Sequence, residues 1–277
     1  MGLTLQIYRF YLIPPNILRY FLWKNYKSRN RFSQILFVTL RQILQSERRM
    51  NFLLIETSAS ICSVALAIDG KIISSYRNDE PMQHAIALPH FVEQALAEAR
   101  NRNVSIEVIA VSGGPGSYTG LRIGVSTAKG LCYATGAKLV QVSTLQLIAL
   151  RFTKEYNKLR SDAIIRPMID ARRMEVYTQS FTIGGQSCSE AETMIITPET
   201  FANENCSLYL CGSGASKCKN VVNNEKVFII EGIEPIADEQ MLILANEAVD
   251  NGCFEDVAYY VPFYLKEFYT TAKPISQ

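Results

Sequence analysis

The sequence predicts an α/β fold written twice in one chain. Three observations carry that prediction. Short apolar runs joined by tight-turn signals occupy 52–76, a strand runs into the glycine-rich stretch 113–120 and then a helix, and a series from 164 onward restates the same order.

Phe52–Thr57 is a short apolar run, and Ser63–Ile68 follows as Ser-Val-Ala-Leu-Ala-Ile. Asp69-Gly70 is a hairpin signal, because both residue types tolerate the left-handed backbone of a two-residue turn. Lys71–Tyr76 resumes the strand pattern, which makes three antiparallel strands. From 84 to 102 the spacing turns helical: Leu88, Val92, Ala95, Leu96 and Ala99 fall on one face, and Pro89 either opens that helix or kinks it. Ile106–Ser112 reads as a strand buried on both faces. It leads through Gly113-Gly114-Pro115-Gly116-Ser117-Tyr118-Thr119-Gly120 into a helix reaching about 133. Lys138–Val142 and Ser143–Tyr156 add a strand and a helix.

The second series opens with Ile164–Asp170, a strand that ends on an acid as Phe52–Glu56 does. Glu175–Phe181 and Glu192–Ile196 are its second and third strands, with a turn at Gly184-Gly185, and Pro198–Ala202 starts a short helix. Leu208–Cys211 then enters Gly212-Ser213-Gly214, an echo of Gly114-Pro115-Gly116. This repeated order is the pattern of the actin-like (ribonuclease-H-like) duplicated fold. It divides the chain into a first lobe at 50–157 and a smaller second lobe at 158–277 that includes the C-terminal segment.

Residues 1–49 stand apart. They carry nine Lys/Arg against Glu47 alone, which leaves nineteen basic and twenty-five acidic residues in 50–277. An acidic body argues against autonomous nucleic-acid binding, although it leaves room for local basic patches. The first 49 residues are apolar but interrupted by Arg9, Pro14, Pro15, Asn16, Arg19 and Lys24, so no stretch approaches the ~20 apolar residues of a spanning helix. A basic, aromatic-rich segment suits an anionic membrane surface. Met50, followed at once by Phe52-Leu53-Leu54-Ile55, favours another expectation: 1–49 is an extension, disordered or the product of a misassigned start. We expect no membrane association and a cytoplasmic protein. The seven cysteines form no C-x-x-C pair and read as reduced, mostly buried thiols.

The chemistry-bearing motifs are defined by what they lack. Gly120 is followed by Leu121-Arg122 where a phosphate-binding Walker loop needs Lys-Ser/Thr, and Val140–Ser143 lacks the acid of the dinucleotide fingerprint. His84 and His90 are six apart and separated by Pro89, a poor basis for a metal site. Ser117 lacks the G-x-S-x-G elbow of a serine hydrolase. Gly114, Pro115, Gly116, Ser117 and Thr119 therefore read as a structural loop. Glu56, Asp170 and Glu175 are candidate carboxylates of a cleft between the lobes, or simply polar strand ends. Gly120, Gly124 and Ala128 recur every fourth residue and strip one helix face of bulk. Glycine inside a helix costs ~1 kcal/mol against alanine, so the stripe needs a reason. Packing within the lobe is one. Contact with a helix of another subunit is the other, with Leu88, Val92, Ala95, Gly120, Gly124 and Ala128 as the interface.

Four stretches together resemble the TsaB (YeaZ-type) family of bacterial tRNA threonylcarbamoyladenosine biosynthesis. They are Ile55-Glu56-Thr57-Ser58, the loop 114–124, Val142-Ser143-Thr144-Leu145 and Asp170-Ala171-Arg172-Arg173-Met174-Glu175-Val176-Tyr177, with Pro262-Phe263-Tyr264-Leu265 as a closing element. The resemblance covers 50–270, and 1–49 have no counterpart in it. It implies a non-catalytic subunit that binds and activates its paralogue TsaD. TsaD in turn transfers the threonylcarbamoyl group to N6 of adenosine 37 in tRNAs reading ANN codons. It also implies contact with TsaD through the helices at 84–102 and 119–135, an ATPase subunit TsaE in the same assembly, and a homodimer when alone. tRNA would be met only through the complex. No cofactor would be bound by this subunit alone, with ATP or ADP entering at the complex level through TsaE. The metal-binding histidine pair of the paralogue has no counterpart in Gln141–Leu147. The competing class is an enzyme, an actin-like phosphotransferase or a glycoprotease-like metallohydrolase, and fold analogy alone supports it weakly.

Overall fold

The computed structural model describes residues 50–80, 82–156, 159–160 and 162–266, so the expectation for 1–49 lies outside the described residues. The first series gives β1 (Phe52–Glu56), β2 (Cys62–Ile68), β3 (Lys71–Asn78), α1 (His84–Asn101), β4 (Val108–Gly114), α2 (Tyr118–Thr135), β5 (Lys138–Ser143) and α3 (Thr144–Glu155). Asp69 and Gly70 take φ of 51° and 73°, the left-handed backbone that closes the β2–β3 hairpin. Pro89 lies within α1 on its exposed side rather than at its start. Ser117 caps α2, its hydroxyl accepting from Gly120 N at 3.3 Å, and Gly136 ends that helix at φ 74°.

The strands form a sheet in the order β3-β2-β1-β4-β5, with β1–β2 and β2–β3 antiparallel and β1–β4 and β4–β5 parallel. Parallel neighbours need crossovers, and α1 and α2 supply them. Alternation along β1 gives each face its own core. Leu53 and Ile55 pack with Leu88, Val92, Val125 and Ala128 of α1 and α2, while Phe52 and Leu54 point to the other layer.

The second series gives β6 (Ile164–Asp170), β7 (Glu175–Thr178), β8 (Phe181–Thr182), β9 (Glu192–Ile195), β10 (Leu208–Cys211), β11 (Val227–Ile230) and α4 (Glu239–Asp250). Its sheet, β11-β10-β6-β7-β9, repeats the first strand for strand and sign for sign, with β8 added against β6. The actin-like fold expected from the sequence is therefore the one observed.

Three expectations are corrected. Glu175–Phe181 is broken into β7 and β8. The short helix at 198–202 is a run of turns. The second glycine-rich turn opens only a 3₁₀ turn, Ala215–Cys218, where the first opens α2.

The C-terminal stretch, assigned with the second lobe, packs on the first sheet. Ala237, Met241, Leu242, Leu244 and Ala245 join Phe52, Leu54, Val140 and Val142 in one core. Ala237 N donates to Ser63 Oγ at 2.9 Å, Glu255 N to Leu139 O at 2.9 Å and Phe263 N to Gly113 O at 2.7 Å. The helix α3 touches both cores, through Leu147 and Leu150 on one side and Leu145, Ile148, Ala149 and Phe152 on the other.

Candidate functional site

The glycine loop is filled by its own chain. A Cβ on Gly116 would sit 2.4 Å from Ser58 O, and one on Gly114, whose φ is 106°, would sit 2.6 Å from Phe263 O. Ser117 N donates to Ser58 O at 2.7 Å while its hydroxyl caps α2. Pro115 is buried, Thr119 is exposed, and the Gly114–Pro115 bond is cis. Glycine is required because the loop backbone lies against the Thr57-Ser58 turn.

The two readings of the small-residue stripe can now be told apart. A Cβ on Gly120 would meet Thr57 O at 2.1 Å, and one on Gly124 would meet Thr57 Oγ1 at 2.2 Å. Thr57 Oγ1 donates to Gly120 O at 2.8 Å, locking the strand end onto the helix. Ala128, Leu88, Val92 and Ala95 all lie in the same internal core. The stripe is intradomain packing, and these six residues cannot themselves line a contact with another subunit.

The outward sides of α1 and α2 are different residues. Half-buried Phe91, Leu96, Ile123 and Leu131 border the internal core from outside, and Ser126, Gly130 and Tyr133 are exposed. Tyr133 is 89% exposed, and a Cβ on Gly130 would meet nothing within 4 Å. Gly130 is thus a mid-helix glycine with no close neighbour among the described residues, and the four-residue spacing of Gly120 and Gly124 does not reveal it.

The three candidate carboxylates are held in two separate networks. Glu56 ends β1 fully buried, its Oε1 accepting from Ser58 N at 2.6 Å and Ser58 Oγ at 2.5 Å, while Oε2 has no hydrogen-bond partner among the described residues. Desolvation pushes its carboxyl up to about 7 against the lowering effect of the Ser58 hydrogen bonds, and the nearby Glu234 and Asp238 push the same way. Burial also raises Glu234 and Asp238. Asp238 is bound by Arg151 Nη1 at 2.5 Å and caps α4 by accepting from Gln240 N and Met241 N. Asp170 ends β6 with its side chain half exposed and ion-paired to Lys217 at 2.6 Å. Glu175 is ion-paired to Lys266. Lys217 Nζ also donates to Glu175 O at 2.7 Å, so Asp170 and Glu175 share one clamp and Glu56 lies in the other network.

Nucleophiles and metal ligands are similarly dispersed. His84 is buried and His90 exposed. Among the described residues no group of three His, Cys, Asp or Glu could hold a metal ion. Burial pushes the Cys62, Cys132 and Cys218 thiols up to about 11, the inert condition of packed cysteines, and Cys188 and Cys253 are exposed. Among the described residues no helix is long and apolar enough to cross a membrane.

Residues 79–266 match the family model described as TsaD: tRNA N6-adenosine threonylcarbamoyltransferase. The chain is 33% identical over 129 residues to the tRNA threonylcarbamoyladenosine biosynthesis protein TsaB of Bacillus subtilis, 47% of this chain and 54% of that one. It is 33% identical over 128 residues to the TsaB protein of Escherichia coli, 46% of this chain and 53% of that one. The aligned stretch thus spans about half the length of these curated relatives. A solved structure from Pseudomonas aeruginosa, described as an uncharacterized protein with similarity to peptidase YEAZ, superposes with a TM-score of 0.67 at 27% identity. That superposition covers 78% of this chain and all of that one.

Proposed function

This chain belongs to the TsaD family of tRNA N6-adenosine threonylcarbamoyltransferase, and from that premise we propose that it is the TsaB-type accessory subunit of threonylcarbamoyladenosine synthesis. In this reading it binds and activates a separate catalytic subunit, TsaD. That subunit transfers the threonylcarbamoyl group to N6 of adenosine 37 in tRNAs reading ANN codons. TsaE joins the assembly, and any ATP or ADP enters through it. The observation that carries the reading is the identity to proteins named TsaB, 33% in both Bacillus subtilis and Escherichia coli. The interior is compatible with it: Glu56, the acid that ends β1, is fully buried and accepts from Ser58 N.

The partner face moves from the buried stripe to the outward side of the same two helices. What supports this side is Gly130, which costs helix stability without an internal reason, set among Ser126, Tyr133, Ile123 and Leu131. Glycine there lets a second helix approach the backbone closely. The same face serves a homodimer when the catalytic partner is absent.

The test is reconstitution of tRNA threonylcarbamoylation from the cognate TsaD, TsaE and supplied threonylcarbamoyl-adenylate, with and without this chain. Product that requires the chain, and none from the chain alone, is the expected result. Equal product without it overturns the proposal and returns attention to an activity of the chain's own.

A further inference from the structure

Among the described residues, the turn from β6 to β7 is the one place where two consecutive non-glycine residues lie in the left-handed region. Arg172 has φ 70° and Arg173 has φ 47°. Glycine or asparagine adopts such a backbone at little cost, and arginine does not. The conformation is over-determined by its surroundings. Asp170 Oδ1 accepts from Arg172 N at 2.6 Å and from Lys217 Nζ at 2.6 Å, Ala171 N donates to Glu175 O at 3.1 Å, and Glu175 N donates to Arg172 O at 3.1 Å. Lys217, largely buried, fastens both ends by also donating to Glu175 O. Arg172 and Arg173 are exposed, and neither guanidinium has an ion-pair partner among the described residues. Strain maintained at exposed, unpaired cations points to a function for those cations rather than to folding.

The surface around the turn extends this pattern. Lys266 reaches across to Glu175. Two residues before it, Tyr264 lies with its ring 4.9 Å from that of Tyr118, and the Arg122 guanidinium stands 5.3 Å over the Tyr118 ring. Lys217 and Lys266 pair with Asp170 and Glu175, which leaves Arg172 and Arg173 as cations of the turn with no ion-pair partner among the described residues, on a body whose overall balance is acidic. Cations interleaved with aromatic rings suit a phosphate backbone with unstacked bases better than an acidic peptide.

We infer that the 171–174 turn is a tRNA-contacting element, in which Arg172 and Arg173 each hold a backbone phosphate of the substrate RNA. This rests on the accessory-subunit reading and deepens it, because it gives the subunit a direct hold on the RNA rather than one only through its partner. Lys217 and Asp170 are positioning residues for the turn.

The full chain is titrated with an unmodified tRNA transcript at several salt concentrations, as wild type, as Arg172→Asn/Arg173→Gly, and as the control pair Lys71→Ala/Arg100→Ala, both exposed elsewhere. The turn variant keeps the left-handed backbone with residue types that favour it, so its melting temperature stays level or rises. Its affinity is expected to fall roughly tenfold and its log–log salt slope to shrink by about 1.5, the loss of two phosphate contacts. Unchanged affinity and slope overturn the inference. An equal loss in the control pair overturns it too, by reducing the effect to general electrostatics. Wild-type tRNA binding with loss of product in the reconstituted reaction would assign the turn to a protein partner, also overturning it. Failure of the accessory reading is distinguishable, because there the wild-type chain itself leaves product formation unchanged.

Discussion

In the first lobe β1 ends on Glu56, in the second β6 ends on Asp170, and the two carboxylates meet opposite surroundings. Glu56 is buried to 0% exposure and held by Ser58, whereas Asp170 is half exposed and held by Lys217. The strand pairings around them are the same in sign and order. What differs is the covering layer. The first sheet has α1 and α2 on one face and α3 and α4 on the other. One face of the second is closed by the 3₁₀ turn and loop residues such as Phe201, Val221 and Val222. Duplication preserved the hydrogen-bonded ladder, which tolerates little variation, and let the helices differ. The burial of a strand-end acid follows from the helices, so equivalent positions became a sealed carboxyl in one lobe and a surface clamp in the other.

The largest expected effect that sharpens this contrast is in pH dependence. The folded protein holds the Glu56 proton more tightly than the unfolded chain, because the ordinary value of 4.5 is raised to about 7. The resulting stability is complete below pH 4.5 and is lost as pH rises through 7, a swing of roughly 3 kcal/mol. Urea melts between pH 5 and 8 should therefore show stability falling with pH, and Glu56→Gln should flatten that slope. A residual slope of the same sign is expected from Glu234 and Asp238, whose carboxyls burial also raises. Asp170→Asn, which removes the charge facing the largely buried Lys217, should cost roughly 1–3 kcal/mol at constant pH. Equal slopes in the Glu56→Gln and wild-type proteins would break the comparison.

A smaller effect separates the two glycine turns. A Cβ on Gly116 meets backbone, Ser58 O at 2.4 Å, while on Gly214 the nearest atom is the Val176 Cγ1 methyl at 2.8 Å and backbone begins at 3.0 Å. Gly116→Ala should cost about 3 kcal/mol and Gly214→Ala about 1, within the range seen for overpacking. Chemical denaturation of both variants measures the difference, and reversal of the order would show the second turn to be the tighter one.

Much of this architecture is legible in the residues because it is local. Asp69-Gly70 specifies its hairpin, the helical spacing from 84 marks α1, and the apolar run of β4 announces a strand buried on both faces. What stayed hidden is non-local. The four-residue period identifies Gly120 and Gly124 as sharing a helix face, but periodicity does not say whether Thr57 or another subunit covers that face. The environment of Glu56 depends on Glu234 and Asp238, about 180 residues away in the chain, brought in by a helix that crosses back to the first sheet. The strain at Arg172 and Arg173 was equally hidden, since nothing in an Arg-Arg pair announces a left-handed backbone.

The smallest expected change in stability tests the relocated partner face. Gly124→Leu, the substitution that the stripe alone would suggest, forces a side chain onto Thr57 Oγ1 at 2.2 Å and damages the fold before it can report on any partner. At Gly130 a Cβ meets open space, and the residue lies inside α2. Gly130→Leu should therefore raise stability by up to about 1 kcal/mol, the helical deficit of glycine, with no internal clash to offset it. If the proposed contact lies here, the same side chain, projecting from the outward face, should abolish association with the catalytic subunit and with a second copy of this chain. Sedimentation of the variant alone and with TsaD separates the outcomes. A protein at least as stable as wild type that no longer associates locates the contact on this side of α2, and one that associates normally moves it off the helix pair altogether.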